Sequence, residues 1–213
     1  MALCNTFKIS NTANNIIGLI KHTDINEKEY LEYVHEPSTH IDTYLPPPSQ
    51  ALPLLVSSIV QQDPALPSPE RWVFTNGYHD HAIRVLDFFK VRECFDGVVD
   101  FSTMRYDCKP FPRAYQVFLE TANNKRPASQ PKTVPEECLF FDDTPNNLET
   151  AKQLGFHTVL VGVSESEMTL VPTKYPFVEH AIKDIYEVPS VLHFYGLKLK
   201  DGVAIPPPFL SSS

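Results

Sequence analysis

Two adjacent carboxylates, Asp142 and Asp143, follow the apolar run Cys138-Leu139-Phe140-Phe141, and Asn147 comes four residues after the second of them. Two like charges at the mouth of a buried strand are costly unless a cation neutralises them. Magnesium suits the position, because it takes hard oxygen ligands: one or two carboxylates, completed by phosphate and water. Asn147 would stand in the first turn of the next helix, where its amide can ligate or orient a carboxylate. The pair also reads as an N-cap, with an aspartate satisfying free amides at the helix start. Thr75-Asn76 ends the run Trp72-Val73-Phe74. A hydroxyl and a backbone amide there can hold a phosphoryl oxygen, although Thr-Asn-Gly is ordinary turn chemistry as well. Lys109, just before Pro110, can balance phosphate and carboxylate charge; taken alone it is a loop lysine in solvent.

The elements around these residues alternate in type. Short apolar runs at 72–74, 97–101, 138–141 and 157–163 read as strands. Between them, helical spacing appears in Ala82, Ile83, Leu86 and Phe89, with Asp80 as a candidate cap, and again from Pro112 through RAYQVFLETA. A third helix runs from Asn146 to Leu154 and is stopped by Gly155. Apolar strands separated by helices imply parallel strands covered on both faces, a doubly wound α/β sheet. In such sheets ligands sit beyond the carboxyl ends of the strands, which is where Thr75, Lys109 and Asp142-Asp143 fall.

Prolines punctuate the rest. PPP at 46–48 and DPALPSPE at 63–70 fence off the first part, and RPASQPKTVPEE at 126–137 reads as a surface loop. Residues 14–45 carry apolar residues at helical spacing and no convincing strand. The expected organisation is an N-terminal segment with helices over 1–48, an α/β core over 49–195, and a flexible tail over 196–213.

The chain has 213 residues, 42% of them hydrophobic, enough to build a sizeable core. A net charge of -8 argues against a nucleic-acid backbone binder. Cys4, Cys94, Cys108 and Cys138 match no zinc spacing and read as free thiols in a reducing, cytoplasmic setting. No run approaches the length of a transmembrane helix, and MALCNTFKIS has no signal-peptide core. His79 and His81 form an H-x-H pair, read as capping or surface histidines ahead of a metal pair. No G-x-S-x-G, G-x-G-x-x-G or P-loop occurs.

Taken in order, strand–Thr–Asn, then Lys–Pro, then strand–Asp–Asp–x–x–x–Asn–helix–Gly–strand resembles motifs two to four of the haloacid dehalogenase superfamily, over about residues 70–165. FTNGYHDHAIRVL, FDGVVDFS, CKPFPRAY and FFDDTPNNLETAKQLG look like its fungal and plant pyrimidine 5′-nucleotidase branch. Residues 14–45 resemble the end of that branch's helical cap. The resemblance implies a magnesium-dependent phosphatase of nucleoside monophosphates that works through an aspartyl-phosphate. It implies phosphate binding by Thr75, with Asn76 beside it, and pairing of Lys109 with phosphate and nucleophile. Asp143 would be the principal magnesium ligand, Asp142 a second or outer-shell partner, and Asn147 would orient them.

One part of the family pattern is absent. Motif one is an Asp-x-Asp after an apolar strand, and no aspartate in this sequence has another two positions on. The chain is therefore expected to be truncated at its start and catalytically inactive, or to be a non-catalytic phosphate- or metal-binding protein derived from the fold. A receiver-like protein would place its acidic pair first. Motif one also supplies the central strand of the sheet. Its absence predicts either a poor surrogate strand from residues 2–9 or an open gap between 72–75 and 138–142.

Overall fold

The computed structural model describes residues 45–105 and 107–207 in full and residues 2–5 as backbone. All of the cap-like stretch at 14–45 except Leu45 lies outside the described residues, as does Tyr106.

Strands β1 (Ala2–Asn5), β3 (Glu70–Phe74), β4 (Gly97–Val99), β5 (Cys138–Asp142), β6 (His157–Val161) and β7 (His180–Ile182) form a six-stranded sheet in the order β4-β3-β1-β5-β6-β7. Every pairing in it is parallel. Side chains alternate between its faces. Trp72, Phe74, Val99, Cys138 and Phe140 pack against Ala114, Tyr115, Phe118 and Ala122 of helix α3 (Pro112–Lys125) and against Leu148 and Ala151 of α4 (Pro145–Gln153). On the other face Val73 meets Leu52 and Val56 of α1 (Ala51–Ser58) and Val85 and Leu86 of α2 (His79–Phe88). Leu139, Phe141 and Val159 meet Val191 and Leu192 of α7 (Pro189–Leu192). Two covered faces explain why the strands read as continuous apolar runs.

The middle of the sheet is filled. Ala2–Asn5 runs parallel to β3 on one side and β5 on the other, with Cys4 opposite Trp72 and Phe140. Of the two expected outcomes, a surrogate strand from residues 2–9 and an open gap, the structure has the first, with the central position taken by four residues. The physical reason is backbone pairing: each buried peptide group left unpaired costs about 1–3 kcal/mol. A short segment interrupted by polar residues therefore does better there than a gap.

Other boundaries shift as well. The core does not end at 195, because β8 (Leu197–Leu199) pairs antiparallel with β2 (Ile59–Gln61) and Leu197 is fully buried against Leu139 and Phe141. The leucines at 197 and 199 alternate, as a half-buried strand requires. Helix α2 begins after Tyr78, and Asp80 lies in its first turn without capping it. β4 stops at Val99, so Asp100 and Phe101 belong to the turn beyond it. Gly155 follows the last residues of α4 with φ +100, a conformation that favours glycine. No described helix is long and apolar enough to cross a membrane.

Candidate functional site at the carboxyl edge of the sheet

Lys109 anchors the site. Its side chain is 1% exposed, and its ammonium donates to Phe74 O and to Asp142 Oδ2, each at 2.8 Å. The same nitrogen lies 4.8 Å from the Phe74 ring centroid and 5.2 Å from that of Phe140. The charge is thus held between the ends of β3 and β5 by a carbonyl, a carboxylate and two aromatic faces. An ammonium has three N–H donors. The third finds no hydrogen-bond partner among the described residues.

The loop after β3 holds the lysine in register. Asn76 Nδ2 donates to Lys109 O at 2.8 Å, and Lys109 N donates to Asn76 Oδ1 at 2.9 Å. This reciprocal pair locks the Thr75-Asn76 loop to the Lys109-Pro110 loop. Thr75 is buried, and its Oγ1 accepts from Gly77 N at 2.9 Å. The hydroxyl proton of Thr75 is therefore uncommitted among the described residues.

The adjacent carboxylates have different surroundings. Asp142 is wholly buried. Its Oδ1 accepts from Thr144 N at 2.8 Å and from Asn147 Nδ2 at 3.1 Å, and its Oδ2 accepts from Lys109 and, at 3.0 Å, from Asn147 Nδ2. Asp143 is partly exposed and accepts a longer bond, 3.3 Å, from Thr144 Oγ1. It borders a solvent-open cleft of about 650 Å³ whose wall includes Leu160, Val163, Lys174 and Tyr175. The structure brings together Thr75, Asn76, Lys109, Asp142 and Asn147. Asp143 stands next to this network without a bond to Lys109 or Asn147.

This donor set bears on magnesium. Among the described residues no group of three or more His, Cys, Asp or Glu side chains is placed to hold a metal. Both oxygens of Asp142 are engaged, and the Nδ2 of Asn147 is spent on them. That leaves Asp143 as the open carboxylate. A single carboxylate fits a magnesium ion that keeps most of its water and adds phosphate oxygens; it does not fit a cage built by protein alone.

Residues 66–155, which contain all of these side chains, match the family of haloacid dehalogenase-like hydrolases. A structure of a candidate β-phosphoglucomutase from Thermotoga maritima superposes with a TM-score of 0.54 at 18% identity, covering 87% of this chain and 83% of that one. The fold is haloacid dehalogenase-like. In sequence the chain is similar to phosphate metabolism protein 8 of Saccharomyces cerevisiae, 26% identical over 191 residues, or 84% of this chain and 56% of that protein. It is also similar to mouse acyl-CoA dehydrogenase family member 10, 34% identical over 97 residues, 44% of this chain and 8% of that protein. The chain thus spans about half or less of the length of these relatives.

The haloacid dehalogenase-like arrangement contains a pair that the motifs did not single out. Asp100, at the exit of β4, is buried, and its Oδ1 accepts from Thr103 N at 2.8 Å and Thr103 Oγ1 at 3.0 Å. Its Oδ2 lies 2.7 Å from His79 Nδ1. The clue in sequence was an aspartate directly after an apolar strand, the pattern used to pick Asp142. Tyr78 rests against Phe101, ring centroids 6.4 Å apart, which is local packing. Cys108 and Cys138 are buried, and burial pushes both thiols up to about 12, so neither offers a thiolate.

Proposed function

We propose that this chain binds phosphate monoesters of the nucleoside monophosphate class in the manner of a haloacid dehalogenase-like phosphatase. Thr75, Asn76 and Lys109 hold the phosphoryl group, and Asp143 carries a largely hydrated magnesium ion that supplies positive charge when bound. The observation behind this reading is the Lys109 ammonium, buried and oriented by Phe74 O and Asp142, with one donor left over among the described residues. A pre-oriented charge in a dry site interacts far more strongly with an anion than one in water. The match of residues 66–155 to hydrolases and the similarity to a protein named for phosphate metabolism support the same chemistry. The pyrimidine preference and a cytoplasmic setting are parts of the proposal carried over from the resemblance and from the free thiols.

Within these 213 residues no Asp-x-Asp occurs, which favours binding without turnover over a working phosphomonoesterase. Binding of uridine 5′-monophosphate and inorganic phosphate, measured calorimetrically with and without magnesium, tests the reading. Thr75→Val keeps the branched shape and removes the hydroxyl; binding should weaken about tenfold, the equivalent of 1.4 kcal/mol. Equal affinity in the variant would refute a phosphate seat at Thr75. Hydrolysis of uridine 5′-monophosphate by the wild type should be negligible. A rate on the order of 10 per second would make the chain an ordinary enzyme and overturn the non-catalytic part.

A further inference from the structure

His79 and Asp100 form a unit on the same edge of the sheet as Lys109 and Thr75. Asp100 is 4% exposed at its side chain, whereas His79 is 53% exposed. The carboxylate is fixed before the histidine reaches it, since Thr103 donates to its other oxygen through both N and Oγ1. The loop just before His79 is tied to the turn after β4 a second time by Phe101 N donating to Gly77 O at 3.1 Å. The imidazole is therefore held by its Nδ1, and Nε2 finds no partner among the described residues.

We infer that His79 is a specificity-determining contact, its Nε2 accepting a hydrogen bond from a hydroxyl on the alcohol side of a bound phosphate monoester. This rests on the phosphate seat proposed above. Two arguments carry it. The first is tautomeric: when the ring is neutral and its Nδ1–H donates to Asp100, Nε2 is left as the acceptor. An acceptor complements a sugar hydroxyl and repels a phosphoryl oxygen. The second is a gradient of burial. Thr75 and Lys109 are each 1% exposed and Asp142 is 0% exposed, while His79, four residues beyond Thr75, opens to solvent. A monoester seated with its phosphoryl group at the deep end directs its alcohol toward solvent, and His79 is a solvent-facing side chain four residues from Thr75.

The substitution that separates contact from scaffolding is His79→Asn. The Nδ2 of asparagine takes the place of the imidazole Nδ1, so the bond to Asp100 survives and Nε2 is lost. Thermal unfolding should match wild type. Affinity for uridine 5′-monophosphate should fall about three- to tenfold, the worth of one hydrogen bond, and affinity for inorganic phosphate should stay unchanged. If both affinities stay at the wild-type level, His79 is only a tie between loops. If both fall equally, it touches the phosphoryl group; either result overturns the inference. A wild type that binds neither compound defeats the phosphate reading itself, and this inference with it. Should the variant fold poorly, nitrogen-15 spectra of the wild type give the same answer. The Nε2 resonance of His79 should move with uridine 5′-monophosphate and stay in place with phosphate, and an unmoved resonance with both counts against the contact.

Discussion

Two carboxylates organise opposite edges of the sheet. At the carboxyl edge the buried Asp142 gathers the buried Lys109 and Asn147 and the backbone of the partly exposed Thr144. At the other edge Glu179, just before β7, accepts from Lys152 Nζ, from Tyr195 OH at 2.9 Å and lies 2.9 Å from His157 Nδ1. Its side chain is 23% exposed and that of Lys152 is 42% exposed. Both have a lysine and further donors, yet they differ in kind. Burial pushes the Glu179 carboxyl upward, but the bonds from Lys152, His157 and Tyr195 outweigh it and hold the group below the ordinary glutamate range. The solvent near Glu179 weakens each of those contacts. Asp142 and Lys109 are out of solvent's reach, so their contacts are not weakened in the same way. A network of that kind suits a ligand seat, and ligands in open α/β sheets bind at the carboxyl ends of strands.

Lys109→Met should break this contrast most visibly. It leaves a buried carboxylate without its counter-charge, and breaking such a pair costs about 3–5 kcal/mol, read from chemical denaturation. If adding Asp142→Leu to that variant restores little, packing and not charge was lost. Asn147→Ala removes the amide that serves both oxygens of Asp142 and should cost about 1–3 kcal/mol in the same assay. Glu179→Gln comes last, at about 0.2–1 kcal/mol at neutral pH. A loss there as large as that for Lys109→Met would erase the distinction between the two edges. The acid side sharpens it. Because the folded form holds Glu179 below its unfolded value, the contribution is complete above the unfolded glutamate range and disappears as pH falls through the folded value. The difference between wild type and Glu179→Gln should therefore shrink in acid.

The strands β3, β5 and β6 were legible because aromatic and branched residues run unbroken through Trp72–Phe74, Cys138–Phe141 and His157–Val161. The loop residues Thr75 and Asn76 were legible because they stand at the exit of β3, and Lys109 because it lies in the connection that follows β4. Helix α1 was hidden by Pro53, which the first turn of a helix tolerates, and by the prolines on either side of it. The pairing of β2 with β8 joins segments too far apart in sequence for periodicity to report. The division of labour between Asp142 and Asp143 was not legible either. Strand alternation puts Asp142 on the same face as Phe140, over which Lys109 lies, but only the positions of Phe74 O and Asn147 show that its oxygens are fully used. His79 looked like a surface histidine until Asp100 was placed beside it.

The register of the sheet also has a consequence in time. Ala2 pairs with Cys138 and Ile59 pairs with Leu199, so two of the pairings join early residues to much later ones. On a growing chain, the segment that fills the centre of the sheet emerges first and waits for β5. The strand at Ile59 waits longer still. Distant pairings pay the entropy of closing a long loop before any contact rewards it, which places such topologies among the slower folders. Two of the six strands, β3 and β4, can assemble while β1 has only one neighbour to hold it. The candidate site at Lys109 needs both β3 and β5, so it cannot form before β5 has emerged.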